Sequence, residues 1–241
     1  MSSEKQTIFE EGQVLLFDKP LYWTSFDLVN KIRNILRSSL GLKNIKVGHA
    51  GSLDPLAGGL MIVCTGRATK TIESYRNLDK EYIATITAGA TTPSFDLETE
   101  IDERFPTDHI TEELINEKLN GFLGEQKQLP PLYSAKLIGG KRAYEYARKG
   151  IQMELEPATV YFRELETLSV NMPEIKIRLK CSKGTYIRSF ARDFGKSLNS
   201  GCYLSALVRN SIGEFKLCDA YNIEKFNEYI SETQRDKFLS N

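Results

Sequence analysis

Apolar residues fall into short runs separated by turn residues, and the spacing inside each run assigns an element. Val14 to Phe17 is an apolar run ending at Asp18-Lys19-Pro20, the pattern of a buried strand entering a turn. Thr24 or Ser25 can cap a helix that carries Phe26, Val29, Ile32, Leu36 and Leu40 on one side, with Asp27 in its first turn and Gly41 at its end. Leu60 to Cys64 is apolar throughout and predicts a buried strand, stopped by Thr65-Gly66. Tyr82 to Ala88 and Ile175 to Cys181 alternate as half-buried strands, the second presenting Lys176, Arg178 and Lys180 as a basic face. Tyr203 to Arg209 predicts another strand. Helices are expected over Thr111 to Asn120, over Arg142 to Lys149, from Thr185 with Ile187, Phe190, Ala191, Phe194 and Leu198 inward, and over Ile223 to Phe238. Strands and helices mix without strict βαβ alternation, which predicts an α+β fold. A single domain over residues 1–241 is expected, with a polar tail at 1–11 and a C-terminal helix at about 222–239.

Composition changes this picture little. Hydrophobic residues make up 41% and charged residues 27%, ordinary for a folded globular chain. No run approaches the 18 or so apolar residues of a membrane span, and the polar start lacks the apolar centre of a signal peptide. Cys64, Cys181, Cys202 and Cys218 are widely spaced and read as reduced thiols, so the cytoplasm is the expected address. Basic and acidic residues balance at 32 each, but unevenly. Residues 131–200 hold 13 basic and 7 acidic side chains, whereas residues 91–127 hold 3 and 10. The first region is a candidate nucleic-acid face.

Several chemistries are missing. There is no G-x-x-x-x-G-K-[ST] loop, no G-x-G-x-x-G after a strand, no G-x-S-x-G elbow, and no Cys/His set at zinc spacing around His49 or His109. Carboxylates and aromatics are what remains. The most unusual stretch is Gly48 to Gly59, with four glycines in twelve residues and Asp54 held before Pro55. A carboxylate on a stiff loop directly before a buried strand is a candidate nucleophile or general base; an isolated Asp-Pro would ordinarily be a turn.

The full string V-G-H-A-G-S-L-D-P-L-A-G-G-L resembles the G-H-x-G-[ST]-L-D-P-x-A-x-G-x-L signature of the TruB family of pseudouridine synthases. Asp18-Lys19-Pro20 with Thr24-Ser25, Gly66 to Lys70, Lys80-Glu81-Tyr82, Pro130 to Lys136, Ala143 to Arg148 and Cys181 to Arg188 resemble further family segments, in family order. The resemblance covers roughly residues 12 to 216. It implies a mixed, mostly antiparallel central sheet with flanking helices, and conversion of a T-loop uridine of tRNA (position 55) to pseudouridine by base flipping. It implies Asp54 as the catalytic carboxylate, Tyr82 and Tyr186 against the base, Arg188 in a salt bridge with Asp54, Leu207 beside the uracil, and His49 filling the place of the extruded base. Lys19, Lys136, Arg148 and Lys183 are expected phosphate contacts. No metal or cofactor is expected, nor an obligate protein partner, and the protein should be a monomer that acts on the T arm.

Two departures stand out. Thr92 to Thr99 replaces the family's T-D-T-x-D-x-x-G with Pro93 at the first Asp and Thr99 at the Gly, and the PUA domain of most relatives is not expected here. Rival readings are a non-catalytic RNA chaperone, a synthase aimed at another RNA, and a glycosidase. The last needs a second carboxylate that the motifs do not provide.

Overall fold

A computed structural model describes residues 8–134, 137–138, 140–147, 151, 153 and 155–238. The strands are β1 (Val14–Lys19), β2 (Val47–His49), β3 (Ala57–Thr65), β4 (Lys80–Ala88), β5 (Ala90–Thr91), β6 (Glu103–Arg104), β7 (Gly124–Gln128), β8 (Leu137–Ile138), β9 (Lys141–Arg142), β10 (Ala158–Asn171), β11 (Glu174–Cys181), β12 (Cys202–Ile212) and β13 (Phe215–Lys216). The helices are α1 (Ser25–Leu40), α2 (Ile72–Asn77), α3 (Glu112–Asn120), α4 (Ala143–Ala147), α5 (Ile187–Ser197) and α6 (Ile223–Phe238). The fold is α+β, a mixed, mostly antiparallel sheet with flanking helices, as expected. Among the described residues no helix is long and apolar enough to cross a membrane.

Contacts divide the chain into two compact units, Met1–Lys80 with Val208–Asn241, and Glu81–Leu207. In the first unit, β3 is buried along its whole length and pairs antiparallel with β1, from Val14 opposite Cys64 to Lys19 opposite Gly59. The short β2 also pairs with β3, setting His49 opposite Val63. The later part of β12 lies beside β3 and pairs with β13. Phe9, Phe17, Tyr221 and Phe226 pack as an edge-to-face aromatic group between this sheet and α6.

Helix α1 starts where the sequence placed it. Thr24 accepts from the Asp27 amide at 3.1 Å while Asp27 accepts from the Thr24 amide at 2.8 Å, a reciprocal capping box. Gly41 ends the helix in the left-handed region at φ 71°. Its buried face comprises Ser25, Leu28, Val29, Ile32, Ile35, Leu36 and Leu40. Phe26, expected on that face, is 64% exposed. Two residues before Leu28 it is rotated about 200° around the helix axis, away from the core.

In the second unit the strand order is β12-β4-β11-β10-β7, with antiparallel β7–β10 and β10–β11 pairs. Phe122, Phe162, Phe190 and Phe194 form its aromatic core under α5. The expected basic face of β11 is neutralised. Arg178 lies 3.3 Å from Glu81, 3.2 Å from Glu164 and 2.6 Å from Glu166, and Lys180 lies 3.2 Å from Glu164. Carboxylates from the neighbouring strands thus answer two of its three cations.

β1 ends on a fully buried cation. The Lys19 ammonium donates to the carbonyls of Pro20 at 2.9 Å and Trp23 at 2.6 Å. Burial pushes its pKa down from 10.5 to about 8, with the Asp54 carboxylate pulling it partly back up. Unfolded, the same lysine keeps its proton to about 10.5, so between these values the unfolded state binds more protons and stability rises with pH. Below about pH 8 both states are charged and the burial cost is felt in full. Urea unfolding at about pH 7, 9 and 10.5 should show wild type gaining stability relative to Lys19→Met, by up to about 3 kcal/mol in total. A difference that stays flat over this range would mean that Lys19 titrates normally in the fold.

Candidate active site

The loop from Ala50 to Leu56 joins β2 to β3, and its backbone is fixed residue by residue. Arg209 on β12, 1% exposed, donates Nη2 to Gly51 O at 3.2 Å, Nη1 to Ser52 O at 3.3 Å and Nε to Leu60 O at 2.7 Å. Ser25 Oγ, in the first turn of α1, accepts from Leu53 N at 2.9 Å and donates to Leu53 O at 3.1 Å. Ala57 N donates to Asp54 O at 3.0 Å, and Tyr22 N to Pro55 O at 2.7 Å. Leu53 and Ala57 are buried on either side while Asp54 itself is exposed. The loop therefore presents one carboxylate outward from a backbone that has little freedom to move.

Gly59 allows this. Its φ is +102°, and a Cβ there would fall 2.5 Å from the Arg209 carbonyl oxygen and 2.7 Å from its amide nitrogen. Any side chain would force β12, and Arg209 with it, away from the loop. His49 sits half-buried at the end of β2, where its Nδ1 accepts from Gly51 N at 3.3 Å. Burial pushes its pKa down, and the Arg76 and Arg209 cations push it further. The neutral ring with its proton on Nε2 is the form this environment favours.

Of the expected phosphate contacts, Lys19 is wholly buried, with its ammonium on two backbone carbonyls. Lys136 and Arg148 lie outside the described residues. Lys183 is exposed in the turn between β11 and α5.

The second unit holds the other expected residues. Tyr82 on β4 is 8% exposed and Leu207 on β12 is 7% exposed. Tyr186 precedes α5 and is gripped at the backbone by Gln128, whose side chain accepts from Tyr186 N at 2.8 Å and donates to Tyr186 O at 3.0 Å. Arg188 is 4% exposed, and within this unit its ion-pair partner is Asp96, at 3.5 Å. Its Nη1 and Nη2 donate to Ser94 O at 3.3 Å and Tyr133 O at 2.8 Å.

The departure at Thr92 to Thr99 explains itself here. Thr92 Oγ1 donates to Asp96 O at 2.7 Å, Glu98 N to Asp96 Oδ1 at 2.9 Å, and Ser94 N to Thr99 Oγ1 at 3.0 Å. Thr99, in place of glycine, ties the turn through its hydroxyl. Phe95, at φ 64°, lies 4.8 Å beneath the Arg192 guanidinium. Sequence reasoning gave no role to Arg209, Gln128 or Asp96. A charged residue closing an apolar strand was the available signal for Arg209, and Asp96 stood in a family segment.

Comparison with known proteins fits these features. The profile of the TruB family pseudouridylate synthase N-terminal domain matches residues 37–187. A protein named tRNA pseudouridine synthase B from Phocaeicola vulgatus is 55% identical over 232 residues, 96% of this chain and 99% of that protein. One of the same name from Chloroherpeton thalassium is 43% identical over 234 residues, covering 97% and 96%. A solved Cbf5-Nop10-Gar1 complex contains a chain 25% identical, with a TM-score of 0.73, covering 95% of this chain and 57% of that one. An H/ACA RNP bound to a substrate RNA containing 2'-deoxyuridine gives a TM-score of 0.70 at 24% identity, covering 98% and 57%, and shares the fold. On the profile and the near full-length relatives, this chain belongs to the TruB family of pseudouridylate synthases.

Proposed function

We propose that the protein converts a uridine in the T loop of tRNA, position 55, to pseudouridine, with Asp54 as the catalytic carboxylate. The reading rests above all on the anchored loop, in which Arg209, Ser25, Ala57 and Tyr22 fix five successive residues and leave the Asp54 side chain outward. The reaction breaks the N1–C1′ bond, turns the uracil and forms C5–C1′; C5 gives up a proton and N1 gains one, so nothing is consumed. A fixed carboxylate can attack the ribose or assist departure of the base. The target base must first leave its stack, and a buried aromatic such as Tyr82 returns ~1–3 kcal/mol by stacking. Tyr186 and Leu207 complete the apolar surroundings of the base, Arg188 orients the charges, and neutral His49 fills the vacated stack.

The decisive test uses unmodified tRNA transcript without added metal or nucleotide. Wild type should convert one T-loop uridine, whereas Asp54→Asn should lose at least ~10³-fold in kcat and keep tRNA affinity within a few-fold. Wild type that binds tRNA tightly and modifies nothing would instead establish an RNA chaperone. At Tyr82 the ring is expected to matter more than the hydroxyl: Tyr82→Leu should be far slower than Tyr82→Phe, and equal loss in both would bring the phenol into the chemistry. Loop anchoring has its own signature. Ser25→Ala leaves both backbone groups of Leu53 short of a partner and should cost about 1–3 kcal/mol in stability, with kcat falling more than KM rises. A normal kcat in Ser25→Ala would show that the loop does not need this anchor.

A further inference from the structure

The turn that fixes Pro55 and the first turn of α1 carry three apolar side chains in water. Leu21 is 51% exposed, Tyr22 78% and Phe26 64%. Solvated apolar residues scattered singly need no explanation, but here two aromatic rings and a leucine stand within six residues. This turn is also bound to the loop of Asp54. Tyr22 N donates to Pro55 O at 2.7 Å, a Cβ at Gly58 would lie 3.8 Å from Leu21 Cδ2, and Ser25 holds Leu53. Tyr22 adopts φ 66°, a left-handed conformation that glycine takes without strain and a tyrosine does not. A tyrosine there, with its ring in solvent, is costly to the fold and contributes nothing to the core.

We propose that Tyr22 and Phe26 form a stacking surface for the RNA, receiving the unpaired nucleotides that flank the target uridine. The inference rests on the reading of Asp54 as the catalytic group. A protein that extrudes one base leaves its neighbours without a stacking partner, and an aromatic face accepts any base because every base has a π-face. The carboxylate beside Phe26 in the sequence, Asp27, is exposed but held in place by the Thr24 amide and hydroxyl, at 2.8 and 2.6 Å. Continuity with the Asp54 loop favours RNA over a second copy of the chain as the occupant.

Tyr22→Gly separates binding from folding, because glycine suits φ 66° and removes only the ring. Steady-state kinetics on a T-arm hairpin should give a KM about tenfold higher for Tyr22→Gly, with kcat within about twofold and an unchanged or raised Tm. Tyr22→Phe and Phe26→Tyr should keep the wild-type KM, and Tyr22→Gly with Phe26→Ala should raise it further. Quenching of a 2-aminopurine placed beside the target uridine should be lost in the same variants. A double variant with wild-type KM and quenching overturns the proposal. So does a concentration-dependent dimer in wild type that Tyr22→Gly abolishes while KM stays normal, which would assign the patch to a second copy. If Asp54→Asn proves active, the reading of the catalytic group fails, whatever the rings do.

Discussion

A buried guanidinium that donates to three backbone carbonyls holds the Asp54 loop, and much of the first unit follows from that constraint. Arg209 donates to Gly51, Ser52 and Leu60, so it ties β3 to the loop that precedes it. Taking a guanidinium out of water costs several kcal/mol unless its donors are met, and here three carbonyls meet them. Two of those carbonyls, Gly51 and Ser52, belong to the loop and the third, Leu60, to β3, so donor and acceptors each need the other. Gly59 follows from the same constraint, because only a residue without a Cβ lets the Arg209 backbone come so close. So does the exposure of Asp54: once Ser25 has taken both polar groups of Leu53 and buried its side chain, the next residue must face out. The ordering entropy of the loop is met during folding, which is how a site gains orientation before its substrate arrives.

Arg188 in the second unit is built on the same plan, with one difference. It too donates to carbonyls, but a buried carboxylate, Asp96, shares its surroundings. Asp96 is in turn held by Thr92 and Glu98, and the whole turn is closed by Thr99. The substitutions that set this segment apart from the family pattern exchange a glycine's conformational freedom for a hydroxyl's hydrogen bonds. The turn as it stands places the Asp96 carboxylate beside Arg188, so a departure from the motif need not be a departure in function.

What the sequence made legible follows from how far each element is buried. Strand β3, helix α1 with its Thr24 cap and Gly41 stop, and β4 with its alternation were all readable, because each has a strong apolar pattern. The long β10 was not. Only Val160 and Phe162 of its fourteen residues are buried, so its polar face hides the alternation that would have revealed it. Phe26 was misplaced because an apolar residue at a helix start can face either way, and only Leu28 and Ile35 show where the core lies. In the site, Asp54 was found through its glycine-rich surroundings. Arg209 was not, because its partners are carbonyls 149 to 158 residues earlier in the chain, and carbonyls carry no residue identity.

Charge placement bears on how a chain with no net charge holds a polyanion. Counting basic residues over 131–200 pointed to β11, yet Arg178 is spent on three carboxylates and Lys180 on one. Lys19, an expected phosphate contact outside that stretch, has no solvent exposure. Each cation removed from the surface takes away one possible phosphate contact and, with it, part of the salt dependence of binding. What a protein loses in phosphate contacts it can recover through shape and stacking, which salt affects far less. Exposed rings at Tyr22 and Phe26 are of that kind. A recognition surface weighted towards stacking would also discriminate, since it engages only nucleotides whose bases are free of pairing, and a loop offers these where a stem does not.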